Sequence, residues 1–196
     1  MIQKVYNFRV GLGQPKFHRK SIRLDGYDYS STGAYFVTLV AFQRQCLFGE
    51  IVDDQMILSS IGKIVHEEWF SSLNIRKEIR LASEDFVVMP NHIHGVVQIV
   101  EGEIVGAHGM RPSHENQGGR RPPLQRPPRS LSSFIAGFKS SVTKRAMARD
   151  DTISGSIWQR NYYEHIIRDE REWNRIRAYI QTNPINWTRD EENPNK

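Results

Sequence analysis

Residues 79–100, IRLASEDFVVMPNHIHGVVQIV, contain two apolar runs that are separated only by Pro90 and Asn91. Both runs are rich in β-branched and aromatic residues, as strands are. A proline lacks the amide hydrogen that a central ladder position needs, so we place the break between the two strands at Pro90. We predict that these two neighbouring strands form the centre of the fold.

The second run carries the triplet His92, Ile93 and His94. On a strand, residues i and i+2 project from the same face, so the two imidazoles point to one spot while Ile93 anchors the opposite face in the core. Such a pair can chelate a divalent cation. Two histidines can equally form hydrogen bonds without any metal, because most imidazole pairs in proteins bind none. The triplet alone leaves both interpretations open.

Hydrophobic periodicity predicts further strands and three helices around this pair. The additional strands are predicted over 34–42, in a hairpin on either side of Asp53 and Asp54, and around 157–167. Amphipathic helices are predicted from Ser59 or Ser60 to about Asn74, over about 130–150, and from about Asp169 to Thr182, before Pro184. The order β, ββ, α, ββ, α, β, α favours an α+β sandwich, with helices packed on a mainly antiparallel sheet, over a doubly wound parallel sheet.

Three segments lack the periodicity of packed elements. Residues 1–30 mix basic and aromatic positions and are interpreted as a basic N-terminal arm. Residues 101–129 are rich in proline, glycine and arginine, so we expect a disordered or mobile insertion there. Residues 188–196 form a polar tail that we expect to be frayed. The folded domain is accordingly predicted over residues 31–187.

The composition argues against several classes of protein. Cys46 is the only cysteine, so neither an intrachain disulfide nor a thiolate zinc cluster can form, and a reducing cytoplasm is the expected location. No run of about 18 apolar residues is present, so we expect no membrane span. The chain has 27 Lys and Arg against 22 Asp and Glu, and its formal net charge of +5 weakly favours a polyanionic partner.

The last predicted helix places Tyr179 and Asn183 four residues apart, on one helical face. The two side chains can therefore address the same ligand. Tyr179 lies at the edge of an apolar stripe, where its hydroxyl could reach a site beside the sheet. It can also be an amphipathic residue at the margin of the core, and Asn183 can simply end the helix before Pro184.

Four motifs of the chain are FVVMPNHIHGVV at 86–97, FKSSVTK at 138–144, WQRNYYEHIIRDE at 158–170 and YIQTNPINW at 179–187. Together they resemble the REP-associated tyrosine transposases, a branch of the single-tyrosine HUH (His-hydrophobic-His) transposases and nucleases. The motifs follow the order that the family has, and the resemblance spans roughly residues 21–187. It implies an HUH-type, ferredoxin-like sandwich. The insertion at 101–129 is the main departure from the family pattern.

The resemblance also implies roles for individual residues. His92 and His94 match the metal ligands of the family, and Tyr179 matches its nucleophile. Asn183 matches the position that supplies a third, polar ligand. The implied cofactor is Mg²⁺ or Mn²⁺, whereas ligand softness alone would also allow Zn²⁺.

Three separated cationic groups are predicted to contact DNA. They are Arg19, Lys20 and Arg23 in the arm, Lys139, Lys144 and Arg145 in the basic helix, and Arg160 after it. The aromatic residues of the arm suit stacking on unpaired bases. The resemblance implies that the DNA is an imperfect palindrome folded as a hairpin, with a single-stranded segment beside it.

The implied activity is the cleavage and rejoining of single-stranded DNA through a 5′-phosphotyrosine. Tyr162 and Tyr163 are rival nucleophiles, but neither has the helical asparagine partner of Tyr179. Two other functions stay open: a DNA- or RNA-binding regulator that no longer cuts, and a metal-dependent hydrolase that uses water. The sequence also leaves open whether one chain completes the site or a homodimer exchanges its last helix.

Overall fold

The structure of the chain is a computed structural model that describes residues 31–101, 129–149, 155–194 and 196. The predicted N-terminal arm, with Arg19, Lys20 and Arg23, lies outside the described residues. So does the predicted insertion, except for its end residues Glu101 and Arg129. The histidine triplet and the last predicted helix both fall within the described part.

Seven strands and three α-helices are formed by the described residues. The strands are β1 Gly33–Val40, β2 Gly49–Val52, β3 Gln55–Leu58, β4 Ile79–Arg80, β5 Phe86–Val88, β6 His92–Ile99 and β7 Tyr163–Ile167. The helices are α1 Ser60–Ile75, α2 Leu131–Arg149 and α3 Glu170–Thr182. Short 3-10 turns occur at Phe42–Arg44, Ser83–Asp85 and Trp187–Arg189.

Five of the strands form one antiparallel sheet, in the order β4-β6-β1-β7, with β5 also paired to β6. Strands β2 and β3 form a separate hairpin. In the pairing of β1 with β6, His94 lies opposite Thr38 and His92 lies opposite Val40. On the other side of β1, Thr38 also lies opposite Tyr163 of β7. Strand β1 therefore connects the histidine strand to the last strand of the sheet.

The two faces of the sheet are covered by different helices. One face packs on α1 and α2 through the larger core cluster, which includes Leu39, Ile93, Val97, Trp69 and Phe134. The other face packs on α3 through a smaller cluster of Ala34, Phe36, Val96, Ile167 and Ile180. Because strand residues alternate between faces, the sheet is buried on both sides in a three-layer arrangement.

The predicted α+β fold class is confirmed, since helices pack on an antiparallel sheet. The hairpin is confirmed as well: Asp53 and Asp54 turn the chain with φ values of 49° and 59°, which aspartate tolerates and a tight hairpin needs. The prediction of one strand over 79–89 is wrong. Two short strands form there instead, interrupted by the 3-10 turn Ser83–Asp85.

No helix among the described residues combines the length and apolar character that crossing a membrane requires.

Candidate active site

Strand β6 places the side chains of His92 and His94 on the sheet face that α3 covers. Ile93, between them, belongs to the core on the opposite face and is fully buried, as the triplet predicts. Gly95 continues that opposite face. A Cβ atom at Gly95 would lie 2.5 Å from Cζ2 of Trp69, so the indole of α1 packs directly on the backbone of the histidine strand. Trp69 therefore supports the histidine strand on the face opposite the two imidazoles.

Each histidine is oriented through its Nδ1 atom by a neighbouring polar side chain. Nδ1 of His92 lies 2.9 Å from Oδ1 of Asn91, and Nδ1 of His94 lies 2.8 Å from Oγ1 of Thr38. Asn91 donates through Nδ2 to the backbone carbonyls of Arg44 and Glu192, at 3.1 and 2.6 Å, which turns its Oδ1 toward His92.

This arrangement sets the proton position of His92 and allows either tautomer of His94. An amide oxygen only accepts, so His92 donates from Nδ1 and its Nε2 atom keeps a lone pair. The Thr38 hydroxyl can donate or accept, so His94 can present either a proton or a lone pair at Nε2. Both rings can therefore offer Nε2 as a ligand atom.

The Nε2 atoms of His92 and His94 are 3.0 Å apart. Two neighbouring ligand atoms of an octahedral cation, each about 2.1 Å from it, are separated by about 3.0 Å. The observed spacing thus fits two adjacent positions around one divalent ion. The donor set is two imidazoles with oxygen groups nearby, which suits Mn²⁺ as well as Zn²⁺.

Burial keeps both rings uncharged. It lowers the pKa of His92 to about 3, and the positive charge of Arg44 acts in the same direction. Burial also lowers the pKa of His94 well below 6.5; the His92 ring lowers it further, whereas the carboxylate of Asp190 opposes the shift. At neutral pH the pair is therefore in the unprotonated state that metal ligation requires.

Helix α3 brings Tyr179 to this pair. Its hydroxyl oxygen lies 3.2 Å from Nε2 of His94, and the ring packs edge-on against Phe36 with centroids 6.2 Å apart. The residue is 38% exposed, so a ligand can approach it from solvent. The predicted contact between Tyr179, which is distant in sequence, and the histidine pair therefore forms within one chain.

A buried carboxylate fixes α3 to the sheet. Asp85, which is 1% exposed, accepts hydrogen bonds from Nε and Nη2 of Arg177 at 2.7 and 3.0 Å. It also accepts one from Nε1 of Trp173 at 3.0 Å. Both donors are on α3, within two turns of Tyr179. The short strands at 79–88 therefore serve the site, because the 3-10 turn between them supplies the anchor.

Two oxygen groups are candidates for a third ligand. Asn183 follows Tyr179 by one helical turn and is 2% exposed, and its Oδ1 atom has no hydrogen-bond partner among the residues that the structure describes. A buried amide oxygen without a partner is costly unless it meets a ligand. Asp190 places a carboxylate oxygen within 4.8 Å of ligand atoms of both histidines. Its Oδ1 atom already accepts from the backbone amide of Glu192 at 2.7 Å.

The C-terminal tail packs beside the site, so the prediction of a frayed tail is wrong. Arg44 forms an ion pair with Glu192 at 3.0 Å and donates to the carbonyl of Glu191 at 3.3 Å. The ring of Trp187 lies 6.1 Å from that of His92. These contacts bring Asp190 to the histidines. Nothing local in a polar tail indicates such docking, and Asp190 was not among the residues predicted for the site.

Other site residues also escaped the sequence analysis. Asn91 directly precedes His92, so the motif itself held a signal for its role as the partner of the first histidine. Thr38 had no such signal, because its contact with His94 depends on the register between β1 and β6. Asp85 likewise acts across 92 residues of sequence to reach Arg177.

The predicted DNA contacts on α2 and after it differ in whether their charged groups already bind other groups of the protein. Arg145 is bound to the carboxylates of Glu67 and Glu68 at 2.6 and 2.7 Å. Lys139 donates to the backbone carbonyl of Gln159 at 2.8 Å. The other two predicted contacts, Lys144 and Arg160, are exposed and make no ion pair or hydrogen bond with any residue that the structure describes.

The rival tyrosines lie elsewhere. Tyr163 is on the same sheet face as the histidines, but its ring contacts Phe36 from the β7 side, with centroids 6.3 Å apart. The ring of Tyr162 lies 5.8 Å from Nζ of Lys139, on the side of α2. The hydroxyl of Tyr179, in contrast, lies 3.2 Å from Nε2 of His94.

Known proteins include a sequence relative and several structural relatives of this chain. An uncharacterized protein of Haemophilus influenzae is 38% identical over 177 residues, which cover 89% of this chain and 92% of that protein. No protein-family model matches the chain. A REP-associated tyrosine transposase, solved bound to a REP hairpin, superposes with a TM-score of 0.53 and 18% identity, covering 81% of this chain and 70% of that one. A putative transposase from Deinococcus radiodurans R1 has a TM-score of 0.39 and 15% identity, with coverages of 81% and 95%.

Proposed function

Because the chain belongs to the same family as the uncharacterized Haemophilus influenzae protein and has the fold of a REP-associated tyrosine transposase, we propose that it is a metal-dependent DNA transposase or endonuclease. It cleaves and rejoins single-stranded DNA through a 5′-phosphotyrosine intermediate. The observation that carries the proposal is the position of the Tyr179 hydroxyl, 3.2 Å from Nε2 of His94. A nucleophile and a pair of metal ligands are thus available to one phosphate.

In this proposal His92 and His94 hold the cation, and Asn183 is the third ligand. We prefer Asn183 to Asp190 because its buried Oδ1 atom has no other partner. We propose Mg²⁺ or Mn²⁺ as the ion. Such an ion polarises a phosphodiester and stabilises the charge on its non-bridging oxygens.

Residues of the chain then position Tyr179 for its attack on the phosphodiester. The Asp85–Arg177 pair fixes α3, so the phenol of Tyr179 is held at the histidine strand. The phenol loses its proton and its oxygen attacks phosphorus; the bond from phosphorus to the 3′ oxygen breaks, and that oxygen takes up a proton. The products are a tyrosine 5′-phosphodiester and a free 3′-hydroxyl. Attack by a 3′-hydroxyl on the adduct reverses these steps, so rejoining needs no ATP.

The proposed substrate is a DNA hairpin with a single-stranded flank. The structural relative was solved with a REP hairpin, which supports a hairpin as the ligand here. Lys144 and Arg160, and the arm residues Arg19, Lys20 and Arg23, are proposed to contact its backbone. With such a substrate the protein would work in the cytoplasm, on the chromosome. A homodimer is not required by this proposal.

The test uses an end-labelled hairpin oligonucleotide with a single-stranded flank, incubated with the protein and Mn²⁺ and separated on a denaturing protein gel. The wild type is expected to form a covalent protein–DNA adduct, and Tyr179→Phe none, while hairpin binding persists. Tyr163→Phe is the matched control and should keep the adduct. An undiminished adduct in Tyr179→Phe would refute the assignment.

The same assay separates the alternative functions. Cleaved DNA without an adduct would identify a hydrolase that uses water. Hairpin binding without cleavage in any divalent metal would identify a regulator. Full cleavage in the presence of EDTA would contradict the metal-dependent mechanism.

A further inference from the structure

An open cavity of ≈ 570 Å³ lies between the second half of α2 and the loop at 156–160. It is separate from the histidine site, because α2 covers the opposite face of the sheet. Lys144 and Arg160 line it together with the polar side chains of Ser140 and Thr143. Met147, which is 37% exposed, adds an apolar surface.

The cavity wall is held in place by Lys139. Its Nζ atom donates to the carbonyls of Gln159 and Asn161 at 2.8 and 3.2 Å. It also lies over the rings of Trp158 and Tyr162, at 5.9 and 5.8 Å from their centroids. This lysine therefore uses its hydrogen bonds to attach the loop to α2. Arg160 is consequently part of a wall with a defined position.

Among the residues that the structure describes, none compensates the charges that line the cavity. Lys144 and Arg160 make no hydrogen bond or ion pair within the described ranges, and no described acidic side chain lines the cavity. Arg145, one residue along the same helix, shows the contrast, because two glutamates of α1 neutralise it. Two free cations beside hydroxyl groups are suited to bind a phosphodiester, which offers non-bridging oxygens and one negative charge.

The lining of the cavity favours a single-stranded segment over a duplex. The cavity is shallow and open, and the apolar side chain of Met147 lies beside Lys144 and Arg160, so an unpaired base can pack there next to its phosphate. A base inside a duplex has no free face for such packing, because both of its faces are stacked. The cavity therefore fits one nucleotide of single-stranded DNA.

The cavity lies at the same end of the sheet as the histidine pair. The amide of Gln159 donates to the carbonyl of Val40 at 2.9 Å, and Val40 lies opposite His92 on the other side of β1. Two strand spacings, about 10 Å in total, therefore separate the backbone of the loop from that of His92. A DNA strand that leaves the histidine site can reach the cavity by passing round the end of β1.

We propose that this cavity is a binding subsite for one nucleotide of the single-stranded flank, with Lys144 and Arg160 bound to its phosphate. The proposal rests on the proposed function only in that the ligand is DNA. The single-stranded flank then binds on the α2 side of the protein, and the hairpin binds to other surfaces.

The test compares the double variant Lys144→Ala/Arg160→Ala with the wild type by fluorescence anisotropy, using a hairpin with a single-stranded flank and the same hairpin with a blunt end. We expect at least a tenfold loss of affinity for the flanked hairpin at low salt and no change for the blunt one. The slope of log affinity against log salt should become shallower by about 0.7, because one phosphate of the single strand is no longer neutralised.

Two further variants keep the test specific. Lys63→Ala/Lys77→Ala removes the same charge from exposed positions outside the cavity and should reduce binding to both DNAs only slightly and equally. The charge-preserving Lys144→Arg/Arg160→Lys should bind the flanked hairpin like the wild type. An equal loss for flanked and blunt DNA, or a loss no larger than that of the control pair, would overturn the subsite.

Failure of the subsite can be distinguished from failure of the proposed function. If the wild type forms no tyrosine adduct but its binding of the flank depends on Lys144 and Arg160, the subsite stands and the transposase proposal fails. If the adduct forms and the double variant binds normally, only the subsite is refuted. If the wild type binds neither DNA, both are refuted.

Discussion

The hydroxyl oxygen of Tyr179 lies 3.2 Å from Nε2 of His94 in the same chain, although 85 residues of sequence separate them. An active site completed in this way needs no second subunit. We therefore predict that a mixture of Tyr179→Phe and His94→Ala proteins forms no adduct, because neither chain has a complete site. Each variant is mixed with wild type as the control for interference. Recovery of adduct formation in the mixture of the two variants would instead indicate that the last helix is exchanged between chains.

The ion pair between Asp85 and Arg177 is predicted to position the nucleophile. Asp85→Ala leaves Arg177 and the indole of Trp173 without their acceptor, and it should lower the free energy of unfolding by about 1–3 kcal/mol. Adduct formation should slow by a larger factor than Mn²⁺ binding, measured by calorimetry, weakens, because the two histidine ligands are on β6 and only Asn183 follows α3. The exposed Arg175→Ala, on the same helix, is the control. Normal adduct kinetics in folded Asp85→Ala would argue against a positioning role.

Measurements of Mn²⁺ binding are sufficient to identify the third ligand of the cation. His92→Ala should abolish measurable Mn²⁺ binding, because the variant loses one of the two imidazole ligands. We expect Asn183→Ala to weaken binding by about 10- to 100-fold and Asp190→Asn to weaken it less. The reasoning is that Oδ1 of Asn183 has no other partner, whereas Asp190 already accepts from Glu192. A larger loss in Asp190→Asn would reverse the assignment.

Two glycines should respond to alanine in opposite directions. At Gly95 a methyl group would overlap the Trp69 ring, with Cζ2 at 2.5 Å and Cη2 at 2.9 Å, so Gly95→Ala should destabilise the protein by about 1–3 kcal/mol. At Gly137, in α2, a methyl group meets no atom within 4 Å, and Gly137→Ala should stabilise by about 0.4–1 kcal/mol. Thermal or denaturant unfolding measures both. Equal effects at the two sites would contradict the packing described for the histidine strand.

Lys139 should make the stability of the protein depend on pH in the alkaline range. Burial lowers the pKa of its ammonium group from 10.5 to about 8. Between these values the unfolded chain binds more protons at this residue than the folded one, so the free energy of unfolding rises with pH. This contribution is fully present above pH 10.5 and is lost as the pH falls through about 8. The stability difference between wild type and Lys139→Met should follow that course, and a difference independent of pH from 8 to 10.5 would contradict it.

Much of the fold could be predicted because its signals are local. The alternation of His92, Ile93 and His94 determines which side chains share a face, whatever the rest of the chain does. The apolar repeat of α1 and the Asp53–Asp54 turn are equally local. The segment at 79–88 was mispredicted because its apolar content resembles a continuous strand. The 3-10 turn that interrupts it is stabilised by contacts with α3, which are distant in sequence.

The sequence by itself determined the strand that carries the two histidines, the helix that carries Tyr179 and Asn183, and the chemistry that these residue types can perform. The tertiary structure alone decided that the phenol meets the imidazoles within one chain and that the tail brings Asp190 to them. It also decided that the carboxylates of Glu67 and Glu68 neutralise Arg145, whereas Lys144 and Arg160 form no ion pair with a described residue. The physical reason is that periodicity depends on neighbouring residues. The partner of a charge or a ring nitrogen, in contrast, depends on strand register and helix docking, and these are set by packing across the whole domain.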